Sequence, residues 1–269
     1  MPDNVSPMFD FKGKVVLAVG GAGYLCSPAC ERLASLGANV VVTDLDEGGS
    51  LALARKLEDE HRTRALGLGC DLGSEDSIKE TVRRTVEAFG RLDVLINAAY
   101  KGSHGRNVET MSGEEFDAAG HVQLTGSFLL ARECARVMQG GANMIFFSSM
   151  YGRISPEPAI YHGPMQPNPI DYGVVKAGTE QMVRYLAVHY APRNIRVNAV
   201  VPGAFPHTTA AGFHEPGFQE FVTRLARKAP MNRIGRQTEL AGPIVFLASD
   251  EASFVTGHCL VVDGGWTIW

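Results

Sequence analysis

The sequence predicts an α/β chain built on a doubly wound parallel sheet of about seven strands, with helices on both faces. Three observations predict it. Short, almost continuously apolar runs recur along the chain, as parallel strands covered on both faces require. Amphipathic segments at helical spacing separate them. A length of 269 residues, 45% of them hydrophobic and 20% charged, suits one domain with a large core, so residues 1–269 are read as a single unit.

The predicted strands are Val15–Val19, Val40–Thr43, Ala65–Cys70, Val94–Asn97, Asn143–Ser148, Ile195–Val200 and Cys259–Val262. Between the third and fourth, Glu75–Phe89 places Ile78, Val82, Val86 and Phe89 on one helical face. Two stretches break the rhythm. Residues 152–171 carry Pro156, Pro158, Pro164, Pro167 and Pro169, and residues 203–230 begin irregularly after the sixth strand. Both are read as substrate-side segments, a loop and a lid, because ligands of such sheets bind at the carboxyl ends of the strands.

Composition excludes several classes. Lys plus Arg total 25 against 29 Asp plus Glu, a formal charge of −4 without a basic tract, so no nucleic-acid partner is expected. Cys26, Cys30, Cys70, Cys134 and Cys259 are odd in number and form no C-x-x-C pair, so neither a disulfide framework nor a metal site is expected. No apolar run reaches membrane-spanning length, and a reduced, cytoplasmic setting is the default expectation.

Val15–Val19 runs directly into Gly20-Gly21-Ala22-Gly23-Tyr24-Leu25-Cys26 and then into the helix-like SPACERLASLG. Glycines there let the backbone turn sharply and approach a pyrophosphate, which sits at the helix N-terminus. Pro28 fits a first helical turn, whose N–H groups lack intrahelical partners. Asp44 ends the next strand about 20 residues further on, where a carboxylate accepts hydrogen bonds from an adenosine ribose. The alternative is a helix-capping aspartate. Between Gly20 and Asp44 the one cation is Arg32, inside the helix, so a 2′-phosphate would meet a carboxylate. This reads as a Rossmann-type fold that takes NAD in preference to NADP.

Tyr172-Gly-Val-Val-Lys176 places a phenol and an ammonium four residues apart, on one helical face. An ammonium near a phenol favours the phenolate, which can accept or donate a proton during hydride transfer. Ser149 ends the fifth strand in FFSSMYG, with Ser148 as its competitor.

In this order the motifs resemble the classical short-chain dehydrogenase/reductase family over nearly the whole chain. The resemblance implies that Asp71-Leu72 holds the adenine and that Asn97-Ala98-Ala99 ends the fourth strand beside the cofactor. It implies that Pro202-Gly203 meets the nicotinamide side, with Gly20, Gly23, Tyr24 and Leu25 at the phosphates. It gives Ser149 the substrate oxygen, Tyr172 the acid/base role, and Lys176 the nicotinamide ribose and the lowering of the tyrosine's pKa. A homodimer or homotetramer is also implied, formed through the fourth and fifth helices.

The chain departs from the family pattern at Tyr24 and Cys26, where glycines are usual, and at Ala98, Tyr100 and Gln123. Bulk at Tyr24 and Cys26 predicts retained but weaker NAD binding. Gln123 stands where the family has a relay asparagine, and either carries the relay on a longer arm or packs at the helix interface. The segment between Ser149 and Tyr172 exceeds the dozen or so residues usual in the family. It resembles a subgroup acting on surface sugars, which suggests a polyhydroxylated carbohydrate-like substrate met by Tyr161, His162 and Gln166, residues that could equally pack the loop. His121, His162 and His207 are possible site residues, with a surface or packing role the more expected one for each. The expected function is NAD-dependent alcohol–carbonyl hydride transfer. The alternatives are an epimerase or dehydratase with transiently used NAD, and a catalytically silent binding protein.

Overall fold

Seven strands, β1 (Val15–Val19), β2 (Asn39–Asp44), β3 (Ala65–Gly69), β4 (Val94–Asn97), β5 (Asn143–Phe147), β6 (Arg196–Pro202) and β7 (Cys259–Val262), form one sheet among the described residues. The structure, a computed structural model, describes residues 8–103, 105–161, 165–211 and 213–269. The order is β3-β2-β1-β4-β5-β6-β7 and every pairing is parallel. All seven predicted strands are present, β1, β4 and β7 with the predicted bounds and the other four with one or both ends displaced by one or two residues, the usual uncertainty at an element boundary.

Both faces of the sheet are covered, and the side-chain period of two divides the core accordingly. From β1, Leu17 and Val19 pack with Ile78, Leu130, Val183 and Leu186, which lie on α3 (Glu75–Phe89), α5 (Ser127–Val137) and α6 (Ile170–Tyr190). Val16 and Ala18 pack on the other face with Ala29, Leu33, Ile244 and Leu247, from α1 (Ser27–Ser35) and α8 (Ala241–Ala248). The continuous apolar strands read from the sequence follow from this double burial. Ser74 starts α3 by accepting from the Ser77 N–H at 3.3 Å.

The chain winds outward through β1, β2 and β3, then returns to place β4 on the other side of β1. That reversal splays the connections on either side of β1 and opens a crevice at the strand ends. On its rim, α2 (Glu47–His61) follows β2 and α7 (Pro216–Lys228) follows β6, while a smaller apolar cluster of Met150, Tyr151, Ile160, Leu225 and Trp266 closes the far end. α4 (Gly113–Gly120) runs into α5 through a π-helical turn, His121–Gly126. Gly126 is required there, because a Cβ would collide with the Leu72 carbonyl.

α6 leaves Ile170, Val174, Tyr185 and Val188 exposed along one side. Among the described residues, no helix is long and apolar enough to cross a membrane. The five cysteines are free and buried.

Candidate active site

The crevice is a cleft of about 730 Å³. It brings together Gly20, Gly23, Tyr24 and Leu25 from the turn after β1, Ala98 after β4, and Pro202 and Gly203 at the end of β6. It also reaches Ser149, Tyr172 and Lys176. Asp44, Asp71, Leu72, Asn97, Ala99 and Gln123 lie outside its lining and act, where they act, from the edges or from behind.

At one end, Gly20 adopts φ 71°, and a Cβ on it would lie 2.7 Å from the Ala99 nitrogen. Only glycine lets β1 turn this close to the end of β4. The turn delivers α1 with no side-chain cap and no acidic residue in its first turn, so the positive end of the helix dipole faces the turn unopposed, while the Ser27, Ala29 and Cys30 N–H groups bond to the Gly23 and Cys26 carbonyls. Cys26 points inward, its thiol hydrogen-bonded to Cys30. That bond, together with burial, pushes the thiol's pKa up and leaves it a packing residue. Asp44 lies near enough for its charge to act on Cys26, and no ion pair reaches it among the described residues.

The edge residues brace the turn. Asn97 is buried, donates to Ser127 Oγ at 2.7 Å and accepts from the Ala99 N–H at 3.2 Å, tying β4 to α5. Asp71 is exposed and accepts from the Gly73 N–H at 2.7 Å. Leu72 is buried beneath Gly126. Gly203 donates its N–H to the Val262 carbonyl at 2.9 Å.

At the other end, Ser148 turns away into α6, donating to the Lys176 carbonyl at 3.0 Å or to Glu180 at 3.2 Å. Ser149 instead accepts from the Tyr151 N–H at 3.2 Å and hydrogen-bonds the Tyr172 phenol. Burial raises the Tyr172 pKa above its usual value, and the Ser149 hydrogen bond works against it. Lys176 is buried, donates to the Phe147 carbonyl at 3.0 Å, and is pushed down by burial to about 8. Its Nζ lies 5.6 Å from the Tyr172 ring centre and 5.9 Å from that of Tyr100, whose ring meets Tyr172 edge-on at 5.5 Å. In the protein alone, Ser149 is thus the group that opposes the burial-driven rise of the Tyr172 pKa.

Gln123, 3% exposed, sits inside the π-helical turn and donates to the Lys101 carbonyl at 2.5 Å. Its Oε1 is buried without a partner, a strained arrangement unless a donor meets it there.

The segment between Ser149 and Tyr172 is fixed at its start. Arg153 binds the buried Glu180 of α6 at 2.9 Å and the Cys259 carbonyl at 3.2 Å. Further along, Arg224 of α7 donates to the Ile160 carbonyl at 2.8 Å, and Tyr161 packs on Phe221 at 5.4 Å. Tyr161 and Asn168 line the cleft, whereas Gln166 is exposed and does not; His162 lies outside the described residues. The Tyr161 hydroxyl is 2.6 Å from that of Tyr151.

Several lining residues escape a sequence reading: Tyr100, Tyr151, Asn168, Phe221 and Leu225. Tyr151 carried a signal, two places after Ser149 where the strand has just ended. Phe221 and Leu225 carried a weaker one, four apart on an amphipathic helix. His207, expected at the surface or in packing, stacks on Tyr24 at the cleft, while His121 stays exposed and contacts the Gly73 carbonyl at 3.1 Å.

A glycine turn feeding an uncapped helix, facing a Ser–Tyr–Lys group across one cleft, is the architecture of an α/β oxidoreductase. A family model described as enoyl-(acyl carrier protein) reductase matches residues 25–267, and the chain belongs to the short-chain dehydrogenase/reductase family. It is 34% identical over 265 residues to an uncharacterized oxidoreductase of Thermotoga maritima, covering 96% of this chain and 99% of that protein. It is 33% identical over 259 residues to the cis-4-hydroxycyclohexanecarboxylate dehydrogenase of Sinomonas cyclohexanicum, covering 96% of this chain and 98% of that protein. It also spans 44% of a longer Sinorhizobium fredii protein, an uncharacterized short-chain type dehydrogenase/reductase, at 32% identity over 254 residues. Among solved structures it resembles an NAD+-bound xylitol dehydrogenase, with TM-score 0.83, 26% identity, and 95% and 99% of the two chains covered. It shares its fold with a Burkholderia cenocepacia short chain dehydrogenase in complex with NADP, with TM-score 0.83, 23% identity, and 95% and 98% covered. Relatives thus include dehydrogenases and reductases, and both nicotinamide cofactors occur among the structural neighbours.

Proposed function

We propose that this protein is an NAD(H)-dependent dehydrogenase that interconverts a secondary alcohol and its carbonyl on a small, ring-shaped substrate. The observation that carries this reading is the convergence of Ser149, Tyr172 and Lys176 on the cleft that begins at the Gly20 turn. The site fits a nicotinamide dinucleotide. The uncapped N-terminus of α1 suits its phosphates, and Asp44 suits a ribose diol while disfavouring a 2′-phosphate. Asp71, Leu72, Asn97, Ala98, Ala99, Pro202 and Gly203 would hold the rest of the dinucleotide, and Lys176 would donate to its inner ribose.

When bound, such a cofactor supplies the site that accepts or returns a hydride. The chain supplies the rest. Ser149 holds the substrate oxygen by a hydrogen bond and Tyr172 takes or gives the proton at that oxygen. Lys176, charged at neutral pH, favours the phenolate as the reaction draws on it. Gln123, whose buried Oε1 has no partner, would accept from a water, and that water would carry the proton between solvent and Lys176.

Beyond Tyr172 the walls are Met150, Tyr151, Tyr161, Phe221 and Leu225, and the polar atoms are the two tyrosine hydroxyls and Asn168. Such walls favour a ring with an apolar face and hydroxyls on one edge. This narrows the expected sugar-like class to cyclic alcohols and polyols, and the cyclohexane-ring substrate named for one relative is consistent with it.

The test is Tyr172→Phe assayed with cyclic alcohols and NAD+. Loss of the proton-transferring hydroxyl should lower kcat by about 10²–10⁴, with NADH affinity nearly unchanged. Full activity in this variant would refute the assignment. An epimerase would convert substrate without accumulating NADH.

A further inference from the structure

We propose that Tyr24, with His207 and Thr208, forms a clasp that shuts the cleft over a bound dinucleotide and sets how fast the cofactor leaves. The proposal rests on the reading that a nicotinamide dinucleotide lies along this cleft. Tyr24 stands in the glycine turn, and His207 and Thr208 lie far off in sequence, Thr208 184 positions away, on the segment that follows β6. The Tyr24 ring stacks on His207 with centres 4.0 Å apart and planes 21° from parallel. Its hydroxyl lies 2.9 Å from Thr208 Oγ1 and accepts from the Thr208 N–H at 3.3 Å. Tyr24 and His207 both line the cleft, so their stack bridges the space between the phosphate end and the Pro202–Gly203 end.

The segment depends on this contact. Among the described residues, 206–211 make their other hydrogen bonds within the segment or to Phe213. Among the described residues, Tyr24 is thus where the segment is hydrogen-bonded to a distant part of the chain. A segment held by one stack and one or two hydrogen bonds opens readily, because little else must break. A glycine at position 24 would leave nothing to reach across. The tyrosine that departs from the family pattern therefore retains cofactor instead of weakening its binding.

The experiment measures NADH dissociation from the intact protein by stopped-flow fluorescence, with excess NAD+ as the chase. Tyr24→Gly removes stack and hydrogen bond together and should speed release roughly tenfold. Tyr24→Phe keeps the stack and should fall between Tyr24→Gly and the native protein. Thr208→Val removes the side-chain hydrogen bond but keeps the backbone one, so it should fall between Tyr24→Phe and the native protein, and the double variant Tyr24→Phe/Thr208→Val should be little faster than Tyr24→Phe, which already lacks both. Release from Tyr24→Gly at the native rate, or slower, overturns the clasp. Independent addition of the Tyr24→Phe and Thr208→Val effects also overturns it. If the native protein binds neither NADH nor NADPH, the cofactor reading falls and the clasp with it. That result is distinct, because every other outcome starts from a measurable native rate.

Discussion

Lys176 shows how the chemistry conflicts with stability at the scale of one residue. It is fully buried with one carbonyl partner, and burial lowers its pKa to about 8 from the ordinary lysine value of 10.5. The folded protein holds this proton less tightly than the unfolded chain. Stability therefore rises with pH between about 8 and the ordinary value, and the charged form costs stability below that window. Lys176→Met should remove this cost at neutral pH and lose one hydrogen bond to Phe147, a net stabilisation of about 2 kcal/mol. Thermal unfolding at neutral pH should show a higher Tm for the variant together with the loss of turnover. A lower Tm would mean that the ammonium is stabilised by the fold, contrary to its surroundings. Ser148 and Ser149 illustrate the limit of sequence at this scale. Both end the same strand, and only the backbone rotation that sends Ser148 to Glu180 distinguishes them.

Among the elements, the segment between Ser149 and Tyr172 bears most on selectivity. Its start is clamped by Arg153 and Glu180, and its middle is held by Arg224 on α7, so Tyr161 and Asn168 face the cleft from a braced loop. We propose that it contacts parts of the substrate remote from the reacting carbon, which raises the rate as well as the affinity. Trimming residues 155–168 while keeping Tyr172 and Lys176 in register should lower kcat/KM for a cyclic polyol by more than about tenfold, and for a small acyclic alcohol far less. Equal losses on both substrates would assign the loop to supporting the catalytic geometry. The elements themselves were largely legible. Glu75–Phe89 has the predicted bounds, because an N-capping serine and a C-terminal glycine bracket its apolar period. The π-helical turn at Gln123 was not legible, since one extra residue in a helical turn leaves no periodic mark, and the turn ends where Gly126 meets Leu72. The aromatic wall was missed because Tyr151 and Phe221 meet only through tertiary folding.

For the whole molecule, the sheet order determines where chemistry can occur. β1 lies between β2 and β4, so the turn after it opens onto the crevice, and the ends of β5 and β6 deliver Ser149 and Gly203 to the same cleft. That order follows from the alternation of strands and helices, and the sequence displays it from end to end. The proposed preference for NAD rests on a more local balance, the negative charge of Asp44 at the end of β2 near an uncapped helix. The most direct test of the whole account is reduced-cofactor formation by the native protein, followed with a panel of cyclic secondary alcohols and with NAD+ and NADP+ in parallel. The account predicts that NADH accumulates with at least one ring alcohol, and that NADPH forms at least about tenfold more slowly, the discrimination expected when a phosphate must approach a carboxylate. Faster reduction of NADP+, or reduction of neither cofactor by any alcohol in the panel, would contradict it.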